Sequence, residues 1–155
     1  IMELPSLVNM RSPRDREISA LQYLIRWYSM AADGSEIDKL HTFHNFQGGW
    51  YMTLDSQWAD QVAVLQIGSA HEFYIWNEDY SDAQKILTVY YLAGTSREEL
   101  AAQDNRFVIY ESETVLYAAN LDVSAVSYGI TPEFVINSFH LIHPDWKNTE
   151  QEVSK

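Results

Sequence analysis

Cysteine is absent from the 155-residue sequence. The chain therefore cannot form disulfides, attack through a thiolate, or hold zinc or iron–sulfur clusters through Cys ligands. Exported bacterial proteins made without disulfide machinery often lack cysteine, so the absence favours export. We expect an extracellular or cell-surface protein whose signal or anchor lies outside this sequence, which begins at Ile1.

Long apolar runs are also absent. No stretch approaches the roughly 18 residues needed to cross a bilayer, and no basic start followed by an apolar segment marks a signal peptide. The sequence contains no Walker A motif, no G-x-G-x-x-G loop and no G-x-S-x-G elbow. We therefore expect no membrane-spanning segment and no cofactor, and the sequence leans away from an enzyme.

Positive charge is scarce. The chain has 10 Lys and Arg against 22 Asp and Glu, which gives a formal net charge of −12. A field of that sign repels nucleic acid and anionic membranes. The 46% content of hydrophobic residues is nevertheless typical of a globular protein.

One stretch combines acidic and aromatic character. Between His41 and Gln84 the sequence has no Lys or Arg, although it contains six Asp or Glu. Exposed Trp and Tyr rings on a sheet can stack on sugars or hold peptide side chains. Five rings of this stretch are the candidate ligand-binding residues: Trp50, Tyr51, Trp58, Tyr74 and Trp76. The alternative is that such large side chains fill the core.

Helix signals are clearest near the start of the chain. Ser12 and Pro13 are typical of a helix beginning. Apolar residues then recur at helical spacing from Ile18 to Tyr28, so we predict a helix that ends near Met30. The Arg residues of this helix would suit docking on a partner or on the rest of a larger chain.

The remainder of the chain is predicted to form mainly short strands. The strands are predicted at 50–54, 61–67, 71–76, 86–92, 107–110 and 115–119, with helices at 95–103 and from residue 131. Most connections are too short for parallel crossovers, so we predict an α+β fold: a mainly antiparallel sheet of about five or six strands with helices packed on it. Residues 1–146 would form this single domain, divided into 1–34 and 48–146, and 147–155 would be a polar tail.

Two histidine pairs raise the question of a metal site. His41 and His44 form one H-x-x-H pair, and His140 and His143 form the other, with Asp145 nearby. On a helix each pair would share a face, and four imidazoles could hold zinc if the segments met. An acidic loop at 77–82 offers oxygens to calcium but lacks EF-hand spacing. No H-E-x-x-H signature is present, so we assign no metal ligand.

A set of aromatic strands carries a family resemblance. The strand at 50–54 ends in Leu and is followed by a turn and Trp58, which resembles the F-x-L-P-x-x-W opening of small exported bacterial domains and of the PsbP-like fold. Later segments continue the pattern with F-Y-I-W at 73–76, L-T-V-Y-Y-L at 87–92 and F-V-I-Y at 107–110. Over residues 48–146 the chain is similar to lipoprotein-type surface domains of Gram-positive gut bacteria. The resemblance implies a PsbP-like α+β sandwich and a surface location, but no activity.

The function expected from these features is that of a non-catalytic binding or structural module of an exported or surface-tethered bacterial protein. Its ligand would be a glycan, a peptide or a protein, and a neutral sugar-like or cationic ligand suits the acidic stretch better than a polyanion. Two alternatives stay open. One is a hydrolase acting on cell-wall or dietary glycans, and the other is an interaction module that docks through its N-terminal helix.

Overall fold

Strands dominate the computed structural model, which describes residues 2–8, 22–76 and 82–142. The first sheet has the order β1-β2-β3-β4-β10, formed by Leu4–Val8, Gln22–Met30, Glu36–Asn45, Trp50–Leu54 and Phe139–Leu141. The second sheet has the order β5-β6-β7-β9-β8, formed by Val62–Ile67, Ala70–Ile75, Gln84–Ala93, Val115–Leu121 and Phe107–Glu111. Every pairing in the two sheets is antiparallel.

Short helices connect the strands. They are α1 (Arg97–Ala101), α2 (Pro132–Ser138) and 3₁₀ helices at Ala59–Gln61 and Val123–Tyr128. The chain builds β1 to β4 of the first sheet, crosses to the second sheet for β5 to β9, and returns through α2 to place β10 beside β4. No helix within the described parts of the chain is long and apolar enough to cross a membrane.

The core lies between the two sheets. Side chains alternate along a strand, so Phe43 and Met52 of the first sheet point inward, as do Phe73 and Ile75 of the second, and all four are almost wholly buried. The rings of Phe43 and Phe73 meet edge to face with their centroids 5.1 Å apart, which joins the sheets directly. The facing sheets therefore form a β-sandwich.

Both α-helices cover apolar surface. Helix α1 packs Ala101 against Leu92 and Leu116 on the outer face of the second sheet. Helix α2 contacts β4 of the first sheet together with β8 and β9 of the second, and its Val135 is wholly buried in the main core. Two apolar clusters, rather than one, therefore stabilise the second sheet on its two faces.

The expected α+β fold is wrong. The structure has two five-stranded sheets instead of one sheet of five or six strands, and its α-helices span only five and seven residues. The second layer that covers a sheet is thus another sheet and not a set of helices, so a helix-covered sandwich of the PsbP-like kind is not formed. The additional strands are four: 22–30 and 36–45, which the sequence pattern assigned to a helix and a connector, 139–141, which lies beyond the start of the predicted last helix, and 4–8.

The predicted N-terminal helix fails for a specific reason. Strand β2 lies between β1 and β3, and both of its faces are covered, so the adjacent residues Leu24 and Ile25 are 1% and 8% exposed. Where a strand is covered on both faces, adjacent residues are both apolar, and the sequence then shows apolar residues at spacings that also suit a helix. Arg26 of this strand pairs with Glu36 and Asp38 of β3, and so is engaged within its own sheet. Residues 9–21, where the helix was expected to begin, lie outside the described residues.

Other local predictions are confirmed. The strands at 62–67 and 70–75 form a hairpin, as do those at 107–111 and 115–121. The last helix begins as predicted, because the Thr131 hydroxyl accepts a hydrogen bond from the Phe134 amide at 3.1 Å and Pro132 occupies the first turn. It is shorter than expected, since β10 begins at Phe139. The predicted tail at 147–155 lies outside the described residues.

Candidate functional site

A cleft of about 360 Å³ opens between the two sheets, near the turn that joins β3 to β4. This volume is near the lower end of the range of about 300–1,000 Å³ found for ligand pockets. Both sheets contribute to its wall. The lining residues are Asn45, Gln47, Gly48, Trp50, Gln66, Ser69, His71, Val89, Tyr91 and Tyr117. We call this space the inter-sheet cleft.

The turn between β3 and β4 shapes one side of the cleft. The side-chain oxygen of Asn45 accepts a hydrogen bond from the Gly48 amide at 3.0 Å. A Cβ atom at position 48 would lie 2.8 Å from Asn45 Nδ2 and 2.9 Å from Trp50 Nε1, so no larger residue fits without displacing one of them. Gly49 follows with φ +73°, a backbone conformation that favours glycine. The Gly48-Gly49 turn thus allows Asn45 and Trp50 to lie side by side in the lining of the cleft.

His71 lies at the centre of a buried polar network. This residue of β6 is 5% exposed. Its Nε2 atom lies 3.1 Å from Gln22 Nε2 and 3.2 Å from Asn45 Nδ2. Gln22 Nε2 also donates to Gln66 Oε1 at 2.9 Å. The network therefore joins β2 and β3 of the first sheet to β5 and β6 of the second.

The orientation of the amides determines which nitrogen of His71 carries the proton. Gln66 donates from its Nε2 to the Gly68 carbonyl, which leaves its Oε1 to accept from Gln22. The Asn45 oxygen accepts from a backbone amide, so its Nδ2 must face His71. Both neighbours of His71 Nε2 are thus donors, and this atom has to accept. The ring is neutral with its proton on Nδ1.

Burial acts in the same direction as the hydrogen bonds. Removal of the His71 imidazole from water disfavours its charged form and lowers its pKa to about 4. Burial also raises the pKa of Tyr117, another lining residue. Both groups therefore stay uncharged at neutral pH. Because no Asp, Glu, Lys or Arg within 2–8, 22–76 and 82–142 lines the cleft, this part of the chain gives its wall no formal charge.

Aromatic side chains make up much of the remaining wall. Trp50 meets His71 edge to face, with centroids 5.3 Å apart, and Tyr91 meets Tyr117 in the same way at 5.4 Å. The Tyr117 hydroxyl donates to the Gly48 carbonyl at 3.4 Å, across the cleft from one sheet to the other. Tyr91 is 41% exposed and is the most accessible of these rings. The cleft is therefore lined by aromatic, amide and hydroxyl groups.

The five aromatic residues predicted as ligand-binding do not form one patch. Trp50 faces the core and the cleft and is 2% exposed, whereas Tyr51, the next residue on β4, points to the outer face of the first sheet. Trp58 is 4% exposed and belongs to the core. Tyr74 and Trp76 are half-buried on the outer side of the second sheet. Trp50 is the member of this set that lines the cleft.

Tyr51 belongs to a different feature, a row of rings across the outer face of the first sheet. It stacks between His44 and His140, with centroid distances of 5.0 Å on both sides. Phe46 stacks on His44, and Tyr23 meets Phe46 edge to face. Because neighbouring rings cover one another's faces, the row presents mainly ring edges.

The three described histidines of the two pairs, His41, His44 and His140, do not converge on a metal site. His41 and His44 are three positions apart on a strand, not a helix, so they point to opposite faces. His41 is buried beside the Asp60 carboxylate at 3.4 Å, whereas His44 and His140 lie on either side of the Tyr51 ring. Within the described residues no group of three or more His, Asp or Glu could hold a metal ion.

Parts of the metal predictions fall outside the described residues. These parts are His143 and Asp145 of the second pair, and residues 77–81 of the acidic loop.

Sequence reasoning missed most of the inter-sheet cleft. Strand alternation already placed Phe73 and Ile75 on one face, and the same alternation puts His71 on that face, where a polar residue is unusual. A polar residue at a core-facing position was therefore the available signal. Nothing in the local sequence, however, links His71 to Gln22 or to Tyr117, which come from distant strands.

Comparisons with known proteins add no family. A scan against protein-family models finds no family that matches this chain, and searches of curated proteins and of solved structures find no match either.

Proposed function

We propose that this protein is a non-catalytic binding module that takes an uncharged ligand into its inter-sheet cleft. One observation carries the proposal. The chain has 32 charged residues among its 155, yet no Asp, Glu, Lys or Arg of the described residues lines the cleft. A wall of aromatic, amide and hydroxyl groups is suited to a ligand that combines apolar surface with neutral polar groups.

The state of His71 supports binding rather than catalysis. A general base needs an accessible lone pair, and the His71 Nε2 lone pair already accepts from two amide groups. Glycoside hydrolysis usually requires two carboxyl groups on either side of the scissile bond, and the described residues that line the cleft include no Asp or Glu. No feature of the cleft therefore favours the hydrolase alternative.

An exported or surface-tethered location remains part of the proposal. It is supported by the complete absence of cysteine and by the acidic net charge of −12, which suits a protein that does not bind nucleic acid.

A ligand screen with cleft variants tests the proposed function. The purified chain would be examined by thermal unfolding and calorimetry against neutral saccharides, blocked dipeptides, quaternary ammonium compounds and small carboxylates. A cleft ligand present at about 100 times its Kd should stabilise the protein by about 2.7 kcal/mol. We expect an uncharged compound to produce such a shift.

Matched Tyr variants locate the binding. Tyr91→Ala removes an exposed ring of the cleft and should weaken binding about fivefold, because stacked aromatic contacts contribute roughly 1 kcal/mol. Tyr23→Ala is the control, since Tyr23 is similarly exposed, 37% against 41% for Tyr91, and lies outside the cleft lining. Ser69→Trp should fill the cleft and abolish binding. Equal affinities for Tyr91→Ala, Ser69→Trp and the wild type would contradict the proposal, as would a screen in which nothing binds.

A further inference from the structure

We infer that the ligand of the inter-sheet cleft is a saccharide ring, whose oxygens accept hydrogen bonds from Trp50 Nε1–H and His71 Nδ1–H. This inference rests on the proposed function and names the class of ligand. Its basis is the chemical character of these two polar groups, both of which can donate a hydrogen bond and neither of which can accept one.

The Trp50 indole N–H is available to a ligand. Trp50 is 2% exposed, and the rings of Phe43 and Phe139 pack against it at centroid distances of 5.5 and 5.4 Å, so little of the indole face is accessible. Its Nε1 atom has no hydrogen-bond partner among the described residues. It is also not among the described side-chain atoms that are both fully buried and unpaired, so part of it is accessible. Glycine at position 48 keeps the space beside it open, since a Cβ there would lie 2.9 Å from Nε1. The indole therefore offers its N–H, and not its face, to the cleft.

The His71 Nδ1–H is the second donor. The amide network occupies Nε2 and places the proton on Nδ1. Like the indole nitrogen, Nδ1 has no hydrogen-bond partner within the described parts of the chain. It too is not among the atoms that are both fully buried and unpaired. Trp50 and His71 are adjacent, with their ring centroids 5.3 Å apart. Two donor side chains that cannot accept, one from each sheet, are thus adjacent in the lining of the cleft.

These donors select the charge of the ligand. A quaternary ammonium ion would face N–H groups and no carboxylate, although three aromatic rings line the cleft. A carboxylate ligand would find hydrogen-bond donors but no Lys or Arg to compensate for its desolvation. An uncharged ligand rich in oxygen acceptors can accept hydrogen bonds from both donors and buries no charge.

The position of the cleft favours a sugar over a peptide. Extended peptides commonly bind by pairing with the exposed backbone of an edge strand. His71, Val89 and Tyr117 come instead from β6, β7 and β9, which are inner strands of the second sheet. The ligand therefore meets side chains. Sugar hydroxyls donate as well as accept, so the oxygens of Gln66 and Ser69, which also line the cleft, complete the match.

Nitrogen NMR provides a direct test. In ¹⁵N-labelled protein the side-chain N–H signal of Trp50 would be identified by its loss in Trp50→Phe, and the proton position on His71 by two-bond nitrogen–proton correlation. The probes are glucose, galactose, mannose and N-acetylglucosamine, compared with tetramethylammonium, acetate and a blocked Gly-Asn dipeptide. We expect at least one sugar to shift the Trp50 signal saturably and to leave His71 in the Nδ1–H form. The indole signals of the other Trp residues should not shift when sugar is added. The Tyr23→Ala variant should show the same sugar-induced shift of the Trp50 signal as the wild type.

A His71→Gln variant tests the second donor. The Gln side-chain oxygen can still accept from Gln22 and Asn45, whereas the Gln NH2 group is bonded to Cδ rather than to Cγ and so cannot take the position of the Nδ1–H group. We expect sugar affinity to fall about tenfold, as for the loss of one good hydrogen bond in a cleft, while the unfolding midpoint at pH 7 changes little. Unchanged sugar affinity in His71→Gln would overturn the inference.

The failures of the two proposals are distinguishable. If tetramethylammonium or the dipeptide shifts the Trp50 signal and no sugar does, the cleft binds ligands but the saccharide inference is wrong. If no probe shifts Trp50 or His71, and no compound of the wider screen depends on Tyr91, the binding function itself is wrong.

Discussion

Acid should destabilise this protein through His71. The imidazole is 5% exposed and neutral in the folded state, where burial lowers its pKa to about 4. In the unfolded chain the same group has an ordinary pKa of about 6.5. Between these two values the unfolded state binds a proton and the folded state does not. Stability is therefore fully present above about pH 6.5 and falls as the pH decreases towards about 4.

The magnitude follows from the difference between the two pKa values. A difference of roughly 2.5 units at 1.36 kcal/mol per unit corresponds to about 3 kcal/mol of stability lost on acidification. Below pH 4 the folded state also binds the proton, and the contribution of His71 changes no further. A loss of this size is a large fraction of the stability of a typical domain, which is about 5–15 kcal/mol.

The measurement is urea unfolding of wild type and His71→Gln, followed by Trp fluorescence between pH 7.5 and 4. The two proteins share every other titratable group, so the difference between their unfolding free energies isolates His71. We expect that difference to change by about 3 kcal/mol across the range, in favour of His71→Gln at low pH. If the two unfolding free energies run parallel from pH 7.5 to 4, His71 is not the buried neutral group derived above.

Three further substitutions test the packing around the cleft. Gly48→Ala should lower the unfolding free energy by about 1–3 kcal/mol in urea titration, because its Cβ would press on the Asn45 side chain at 2.8 Å, and a cost below about 0.5 kcal/mol would refute the steric argument. Asn45→Ala should lower the unfolding free energy by about 1–3 kcal/mol, because it leaves the Gly48 amide unpaired. NMR titration of this variant should show a higher pKa for His71. An unchanged pKa would show that the Asn45 side-chain amide does not favour the neutral imidazole. Phe43→Ala should cost about 3–5 kcal/mol in thermal unfolding, since this wholly buried ring joins the two sheets, and a loss below 1 kcal/mol would contradict that role.

Much of the second sheet could be predicted from local sequence. Its first hairpin follows from two β-rich runs separated by Gly68, which adopts φ +59° in the turn. Helix α2 follows from the Thr131 cap and Pro132, because these residues act within one turn of the backbone. Features of this kind depend on near neighbours in the chain.

The first sheet and the cleft required the tertiary structure. Strand β2 carries buried residues at positions 24 and 25 because it is covered on both faces, and a pattern of apolar residues cannot reveal what covers a segment. The fold class followed this error, since the strand at 22–30 was assigned to a helix and the strand at 36–45 to a connector. The direction in which Trp50 and Tyr51 point was likewise decided by the pairing of β4 with β3 and β10.

The sequence alone determined the chemical inventory of this protein: no thiol, an excess of acid, abundant aromatic rings and a few histidines. Those properties exclude classes of chemistry, because they do not depend on where a residue lies. Only the tertiary structure decided which groups act together. It placed the charged side chains of the described residues outside the cleft wall and brought Gln22, Asn45 and His71 into one network. Hydrogen bonding and desolvation depend on distances between residues far apart in the chain, and those distances exist only after the two sheets have packed.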